Sequence, residues 1–161
     1  MVATNENVLI NGIAAKLEAQ YDCEIHATAL RQGFEAPCFF IELISGSGRR
    51  IGFRRHERRH SFCIHYFPKG VFDEDAEAFN QEIYTVADEL YQVLEYIQVN
   101  DHIVNGRPIR CTGSNMHHDT SDGVLHFFVD YNYHLIEERP GPKMESLAHT
   151  ALPASMKGVQ V

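Results

Sequence analysis

The fold is decided by residues 73–98, whose sequence is DEDAEAFNQEIYTVADELYQVLEYIQ. Large apolar side chains recur there every three or four positions, and on a helix they fall in one stripe about 100° wide. They are Phe79, Ile83, Val86, Leu90, Val93, Leu94 and Ile97. No glycine or proline interrupts the stretch, and acidic residues crowd its first turns, where the helix dipole favours negative charge. The pattern predicts one long helix whose apolar face covers a sheet.

Strand-like segments lie on both sides of this helix, and the one over residues 38–45 is rich in aromatic and branched residues. They cover residues 23–30, 38–45, 61–67, 107–118 and 124–136, and an amphipathic helix capped by Asn5 and ending near Tyr21 precedes them. On the last segment Leu125, Phe127 and Val129 alternate with mainly polar residues, which indicates one packed face and one face that is wet or paired with a partner. The order α-β-β-β-α-β-β predicts an α+β fold, in which a mostly antiparallel sheet packs against one long helix and an N-terminal helix.

Two features are expected between the second and third strands. Residues 45–48, Ser-Gly-Ser-Gly, predict a turn. Ile51 and Phe53 occupy odd positions, whereas Phe62 occupies an even one, and a regular strand cannot place both sets on one face. We therefore expect a bulge or loop within residues 54–60.

The composition is that of a soluble globular protein, with 161 residues of which 44% are hydrophobic. The net charge of −8 argues against wholesale binding to nucleic acid or membranes. We expect no transmembrane segment and no secretory signal. Cys38 and Cys63 lie in strand-like runs, which predicts buried, reduced thiols of a cytosolic protein. Periodicity ends near residue 136, which predicts a single domain over residues 1–136 and a C-terminal extension over residues 137–161 that is flexible or docks on a partner.

The histidines were weighed as metal ligands. His56 and His60 have the spacing of two ligands on a helix face, and His117, His118 and His126 are candidates to converge across a hairpin. No cysteine or carboxylate arrangement completes a tetrahedral set. The chain also has no nucleophile-elbow pattern and no phosphate loop. The sequence therefore predicts no metal, no cofactor, no catalytic residues and no enzyme activity.

Basic residues are concentrated in residues 49–60, a predicted hairpin. They are Arg49, Arg50, Arg54, Arg55, Arg58 and Arg59. Three interpretations stay open: a solvated hairpin tip, a contact with an acidic protein surface, or a contact with nucleic-acid phosphates. The chain has its own acidic surface at the start of the predicted long helix, formed by Asp73, Glu74, Asp75 and Glu77. A basic hairpin on one subunit that meets an acidic patch on the next makes a head-to-tail contact, which closes into a ring when the rotation allows.

Several short stretches between residues 8 and 136 carry a family resemblance. They are PCFFI (Pro37 to Ile41), FCIHYFP (Phe62 to Pro68), Ala87-Asp88 with Leu90, Leu94 and Ile97, Gly106-Arg107, and DGVLHFFV (Asp122 to Val129) with Tyr131. In order and spacing they resemble the small tail terminator proteins of phages and phage-derived particles from Gram-positive bacteria.

The resemblance implies an α+β subunit that assembles, usually as a hexameric ring, on the end of a completed tail tube. Such a ring stops tube polymerisation and presents a joining surface for the head or neck, and in contractile tails for the sheath. The implied partners are copies of the chain itself, the tail tube protein, the sheath protein and the head–tail connector or neck protein. DNA would only pass through the lumen, and no membrane is involved.

The implied location is the head-proximal end of the virion tail, after assembly in the host cytoplasm. The family supplies no catalytic residues and no cofactor, and its subunit contacts use a long hairpin that corresponds to residues 49–60. The alternative function is a nucleic-acid-binding module that uses the same basic hairpin.

Overall fold

Two helices and six strands make up the part of the chain that the structure, a computed structural model, describes: residues 6–27, 34–70, 73–104 and 107–137. In chain order they are α1 (Glu6–Gln20), β1 (Glu24–His26), β2 (Cys38–Gly52), β3 (Arg55–Phe67), α2 (Ala76–Val93), β4 (Tyr96–Val104), β5 (Arg107–Ser121) and β6 (Val124–Ile136). The strands form one sheet in the order β1-β2-β3-β6-β5-β4, in which β1 and β2 are parallel and the other described pairs are antiparallel. The predicted α+β class and mostly antiparallel sheet are confirmed, and β6 has the predicted bounds.

Both helices pack on one face of the sheet, and their buried side chains join those of the strands in a single cluster. Its members include Leu9, Ile13, Leu17, Phe39, Ile41, Phe62, Ile64, Ile83, Leu90, Leu125, Phe127, Val129 and Tyr131. Alternate residues of β3 and β6 supply this face, because successive side chains of a strand point to opposite sides. Each fully buried large apolar side chain contributes about 1.5–3 kcal/mol as an upper estimate, so this cluster holds the helices on the sheet.

The second helix is shorter than the sequence predicts. α2 begins after Asp75, whose side chain accepts a hydrogen bond of 3.0 Å from the Ala78 N–H and caps the helix. The helix ends at Val93, with Leu94 as its C-cap, and β4 begins at Tyr96. The prediction of one long helix over residues 73–98 is therefore wrong at its C-terminal end. The observed order, α-β-β-β-α-β-β-β, contains one strand more than predicted.

The helix ends there because the sheet satisfies the carbonyl groups that follow it. The Tyr131 hydroxyl donates to the Leu94 carbonyl at 2.8 Å, and the Gly113 N–H donates to the Glu95 carbonyl at 2.7 Å. Ile97, counted in the helical stripe, is buried on β4 instead. Its position fits the period of two of a strand as well as the 3.6 period of a helix, so the pattern alone did not separate the two structures.

α1 is the predicted N-terminal helix, and its backbone approaches β4 closely. A Cβ atom on Gly12 would lie 2.9 Å from the Gln98 carbonyl oxygen, closer than real Cβ atoms come to other atoms. The absence of a side chain at this position therefore lets the helix lie against the strand. The predicted cap at Asn5 lies outside the described residues, as do residues 28–30 of the first predicted strand.

β2 continues through the stretch that predicted a turn, and the observed turn is formed by residues 53–54. The turn prediction for residues 45–48 is therefore wrong. The two glycines in that stretch lie opposite His60 and Arg58, and they leave space for those large side chains. Because glycine has no Cβ, β2 continues as an extended strand beside the large side chains of His60 and Arg58.

The bulge or loop predicted within residues 54–60 is found only at the first of them, because Arg54 belongs to the turn and β3 begins at Arg55. β3 pairs with β6 in unbroken register from Arg55 to Tyr66. Ile51 lies on β2 and Phe53 lies in the turn, so neither has to share a face with the apolar residues of β3. The odd and even apolar positions are therefore compatible, because neither Ile51 nor Phe53 belongs to β3.

Three further predictions concern the cysteines, membrane-spanning helices and the C-terminal extension. Cys38 and Cys63 are buried on β2 and β3, as predicted. No helix within the described residues has the length and apolar character needed to cross a membrane. Residues 138–161, nearly all of the predicted C-terminal extension, lie outside the described residues, so the domain boundary stays a prediction.

Candidate functional site

The arginine-rich segment lies on a three-stranded extension of the sheet. β2 and β3 pair along the whole predicted hairpin, and β6 adds a third strand, with His134 opposite Glu57. We call residues 45–60 and 131–137 the arm. An isolated two-stranded hairpin is marginally stable in water, so the third strand makes the arm more rigid than the hairpin that the sequence predicted.

Strand alternation divides the six arginines between the two faces of the arm. One face carries Arg49, Arg55 and Arg59, the other carries Arg50 and Arg58, and Arg54 lies in the turn with a φ of 64°. The structure therefore brings all six into one arm but not onto one surface.

Part of this charge is paired within the arm. Glu57 Oε2 lies 2.5 Å from Arg49 Nε, and its other oxygen lies 3.2 Å from Arg59. These hydrogen bonds hold the pKa of the Glu57 carboxyl below its usual value. Arg54 donates to the backbone carbonyl of Glu137. Arg50 Nε donates to the Gly52 carbonyl at 3.2 Å. Four of the six guanidinium groups are thus engaged by the arm itself.

The tip of the arm combines unpaired charge with exposed apolar surface. Arg50 and Arg55 form no ion pair with any residue that the structure describes. Arg58 lies nearer the base of the arm, where its charge helps to lower the pKa of Glu6. Phe53 is 83% exposed and Ile136 is 64% exposed. Arginine and aromatic side chains are enriched in protein interfaces, so this tip has the composition of a protein contact.

His60 anchors the base of the arm. Its buried ring stacks on Tyr133, with centroids 5.6 Å apart, and its Nε2 lies 3.4 Å from the Glu6 carboxylate on α1. Backbone hydrogen bonds at the start of α1 lower the pKa of Glu6, and the neighbouring His60 lowers it further. His56 lies four positions away along the same strand, about 13 Å at 3.3 Å per residue, so the two histidines do not form the helix-type ligand pair.

The acidic surface lies at the start of α2, and all of its members are exposed. We call these residues the acidic patch: Asp73, Glu74, Asp75 and Glu77. The first turns of α2 lie beside the β5–β6 turn. A Cβ atom on Gly123, in that turn, would be 3.2 Å from the Phe79 ring of α2. The Tyr66 hydroxyl, near the end of β3, donates to Glu82 on the same helix at 2.7 Å.

The arm and the acidic patch therefore lie at opposite ends of the sheet. The arm contains the first residues of β3 and the last residues of β6, whereas the acidic patch lies beside the last residues of β3 and the first of β6. β3 has 13 residues, which span about 40 Å at 3.3 Å per residue. One chain thus presents a basic end and an acidic end that cannot reach each other.

The face of the sheet opposite the helices carries aromatic and histidine side chains. Phe40 stacks on His65 with centroids 5.3 Å apart, and His65 meets His126 edge to face at 4.8 Å. His117 stacks on Phe128 at 4.7 Å. These side chains are half-buried or exposed. We call this side of the sheet the open face.

A group of potential metal ligands lies on the open face. One ligand atom from each of Cys63, His65 and His126 lies within 4.8 Å of the other two. Burial, with the charges of Glu42 and Asp119, raises the pKa of the Cys63 thiol to about 12. The sequence analysis missed this group, because nothing in the sequence pairs β3 with β6. The available signal was the Cys-x-His spacing on one strand face together with a histidine on the polar face of the last strand.

The convergence considered for His117, His118 and His126 across a hairpin does not occur. His117 and His118 point to opposite faces of β5, since His118 bonds to the Tyr91 hydroxyl at 2.8 Å on the helix side, whereas His117 stacks on Phe128. His126 lies on the open face but belongs to the Cys63 group.

Comparison with protein families shows what the chain is similar to. The model of a family described as "Phage tail terminator protein" matches residues 8–143. The match includes every described strand and most of α1. A search of curated proteins found no match.

Proposed function

Because the chain belongs to the phage tail terminator protein family, we propose that it assembles into a closed, hexameric ring that caps the tail tube. Membership makes the chain a structural component of the phage tail that works with other tail proteins in the virion. In the proposal the ring stops tube polymerisation at the head-proximal end and forms the joining surface for the head or neck. In a contractile tail it also engages the sheath. The protein acts by shape and charge complementarity rather than by catalysis.

The observation that carries the proposal is the separation of opposite charges along one sheet. The tip of the arm and the acidic patch lie at the two ends of β3, which spans about 40 Å. Two different surfaces that complement each other make a heterologous contact, and repeated heterologous contacts close into rings or extend as filaments. A subunit with one basic and one acidic end has the layout that such a contact requires.

The tip of the arm also has features that favour burial in a contact. Arg50 and Arg55, which form no ion pair with a described residue, supply long-range attraction to an acidic partner, which speeds association and fixes its orientation. Phe53 supplies an apolar anchor of the type that dominates interface energies. The arginines and Phe53 lie at the same tip, so both would contact the same neighbouring subunit.

The charge proposal is tested by reversal and rescue. Arg55→Glu with Arg58→Glu should abolish rings and capped tubes, and Glu74→Lys with Glu77→Lys should do the same. A chain that carries all four substitutions should assemble again, because each interface once more joins opposite charges. Negative-stain imaging and sedimentation of the chain with its tube protein report the outcome.

Matched controls separate a specific contact from a general charge effect. Lys69→Glu and Glu18→Lys change exposed charges outside the arm and the acidic patch, and both variants should assemble normally. Failure of the fourfold variant to recover, with all variants folded by circular dichroism, would contradict the head-to-tail proposal.

Binding of duplex DNA is the other use to which the arm's arginines are suited. The split of these arginines between two faces lowers the charge on any one face, which favours the protein contact. Steep salt dependence of DNA binding that flattens in the Arg55→Glu, Arg58→Glu variant would support the nucleic-acid alternative instead.

A further inference from the structure

We propose that Cys63, His65 and His126 form a binding site for a zinc-like divalent transition-metal ion on the open face. This site is separate from the arm and the acidic patch, and it does not depend on ring assembly.

The strand register builds the site. His65 on β3 lies directly opposite His126 on β6, and Cys63 is two residues from His65 on the same face of β3. The Cys63 Sγ atom lies 4.0 Å from His126 Nδ1, and the three ligand atoms lie within 4.8 Å of one another. Around a tetrahedral zinc ion, sulfur and nitrogen ligands are about 3.5 Å apart, given bonds of about 2.3 and 2.0 Å. Side-chain rotations that move each ligand atom by less than about 1 Å would therefore bring the three atoms to the distances that a bound ion requires.

The donor set selects the class of metal. One thiolate and two imidazoles are soft and borderline ligands, which suit zinc, cobalt or copper and not magnesium or calcium. Three protein ligands leave the fourth tetrahedral position open to water or to a side chain from another molecule. The open face is not covered by a helix of the described residues, so an ion there would be accessible from solution.

The surroundings of the site also favour a cation. Glu42 Oε2 lies 2.7 Å from His65 Nε2, the kind of carboxylate contact that orients a ligating histidine. Asp119 lies opposite His126 on β5, so its carboxylate adds negative charge beside the site. Arg59, the arginine of the arm that is nearest along this face of β3, is four residues from Cys63, about 13 Å. Four strands thus contribute groups that attract a divalent ion.

The experiment uses the full-length chain without a polyhistidine tag, stripped of metal by a chelator and titrated with Co²⁺ and then Zn²⁺. We expect one ion per chain, tetrahedral cobalt absorption and a cobalt–thiolate charge-transfer band that zinc removes by competition. Cys63→Ser and His126→Asn should each abolish the band. Glu42→Gln should keep it but weaken binding about 10–100-fold. Mg²⁺ should not compete.

Control variants keep the test specific. Cys23→Ser removes a half-buried thiol outside the site, and His134→Asn removes an exposed histidine of the arm, so both should bind cobalt like the unmodified chain. His126→Asn alters a half-buried side chain, so it remains informative if Cys63→Ser fails to fold. Binding of less than a tenth of an ion per chain, or an unchanged band in folded His126→Asn, would overturn the proposal.

Discussion

Replacement of Phe53 by alanine should weaken assembly strongly while leaving the subunit as stable as before. The Phe53 ring is 83% exposed at the tip of the arm, so the isolated subunit gains little from it. A phenylalanine presents about 200 Å², and burial of the exposed part in a contact is worth roughly 3–4 kcal/mol at about 25 cal/mol per Å². Since each 1.4 kcal/mol is a factor of ten, the contact should weaken about 100- to 1000-fold. The free energy of unfolding should change by less than about 0.5 kcal/mol.

Two measurements on the same protein check this prediction. Urea unfolding of the isolated subunit reports stability, and sedimentation with the tube protein over a range of concentrations reports assembly. Tyr84→Ala is the matched control, because Tyr84 is 63% exposed on α2 outside the arm, and it should affect neither measurement. The reasoning is refuted if Phe53→Ala assembles at the same concentration as the unmodified chain, or if it loses stability in step with assembly.

Three further predictions concern stability. Tyr131→Phe removes the hydroxyl that donates to the buried Leu94 carbonyl, so urea unfolding should show a loss of about 1–3 kcal/mol, and no loss would mean that this bond does not fix the end of α2. Gly12→Ala places a Cβ against the Gln98 carbonyl, and the clash should outweigh the roughly 1 kcal/mol gain in helix propensity, giving a lower melting temperature; a higher one would contradict the close approach. The pKa of Glu57 is lower in the folded chain than its usual value, so its stabilising contribution is complete above the unfolded-state pKa and is lost as the pH falls through the folded-state pKa. Glu57→Gln should therefore flatten the acid side of the stability profile, and an unchanged slope in urea unfolding would contradict the pairing with the arm's arginines.

Long periodic segments were predictable from the sequence. The alternation of Leu125, Phe127 and Val129 gave the bounds of β6, and the apolar stripe gave α2 over most of its length. These patterns succeed because a single periodicity persists over many residues, with one side facing the core. The end of α2 was not predictable, because Ile97 satisfies both periodicities and the deciding hydrogen bond comes from distant Tyr131.

The candidate surfaces were predictable only in part. The arginines and the acidic residues were visible as charge runs, but their distance apart depends on the pairing of β3 with β6 and on where α2 begins. The prediction of a turn at residues 45–48 is wrong, because glycine also permits a strand to pass beside bulky neighbours such as His60. The Cys63 group required knowledge of which strands are neighbours in the sheet, and these strands are far apart in the chain.

Disulfide cross-linking of neighbouring copies tests the head-to-tail contact most directly. In a Cys23→Ser background, Arg58→Cys places a thiol on the arm and Glu74→Cys places one on the acidic patch. Within one chain the two thiols are separated by the stretch of β3 from Arg58 to Phe67, about 30 Å. Oxidation after assembly on the tube protein should give a ladder of dimers, trimers and larger species that stops at the ring size, and each single-cysteine variant should give no ladder. Dimers alone, or no cross-linking of the two-cysteine chain in assembled tails, would contradict a contact between the arm of one subunit and the acidic patch of the next.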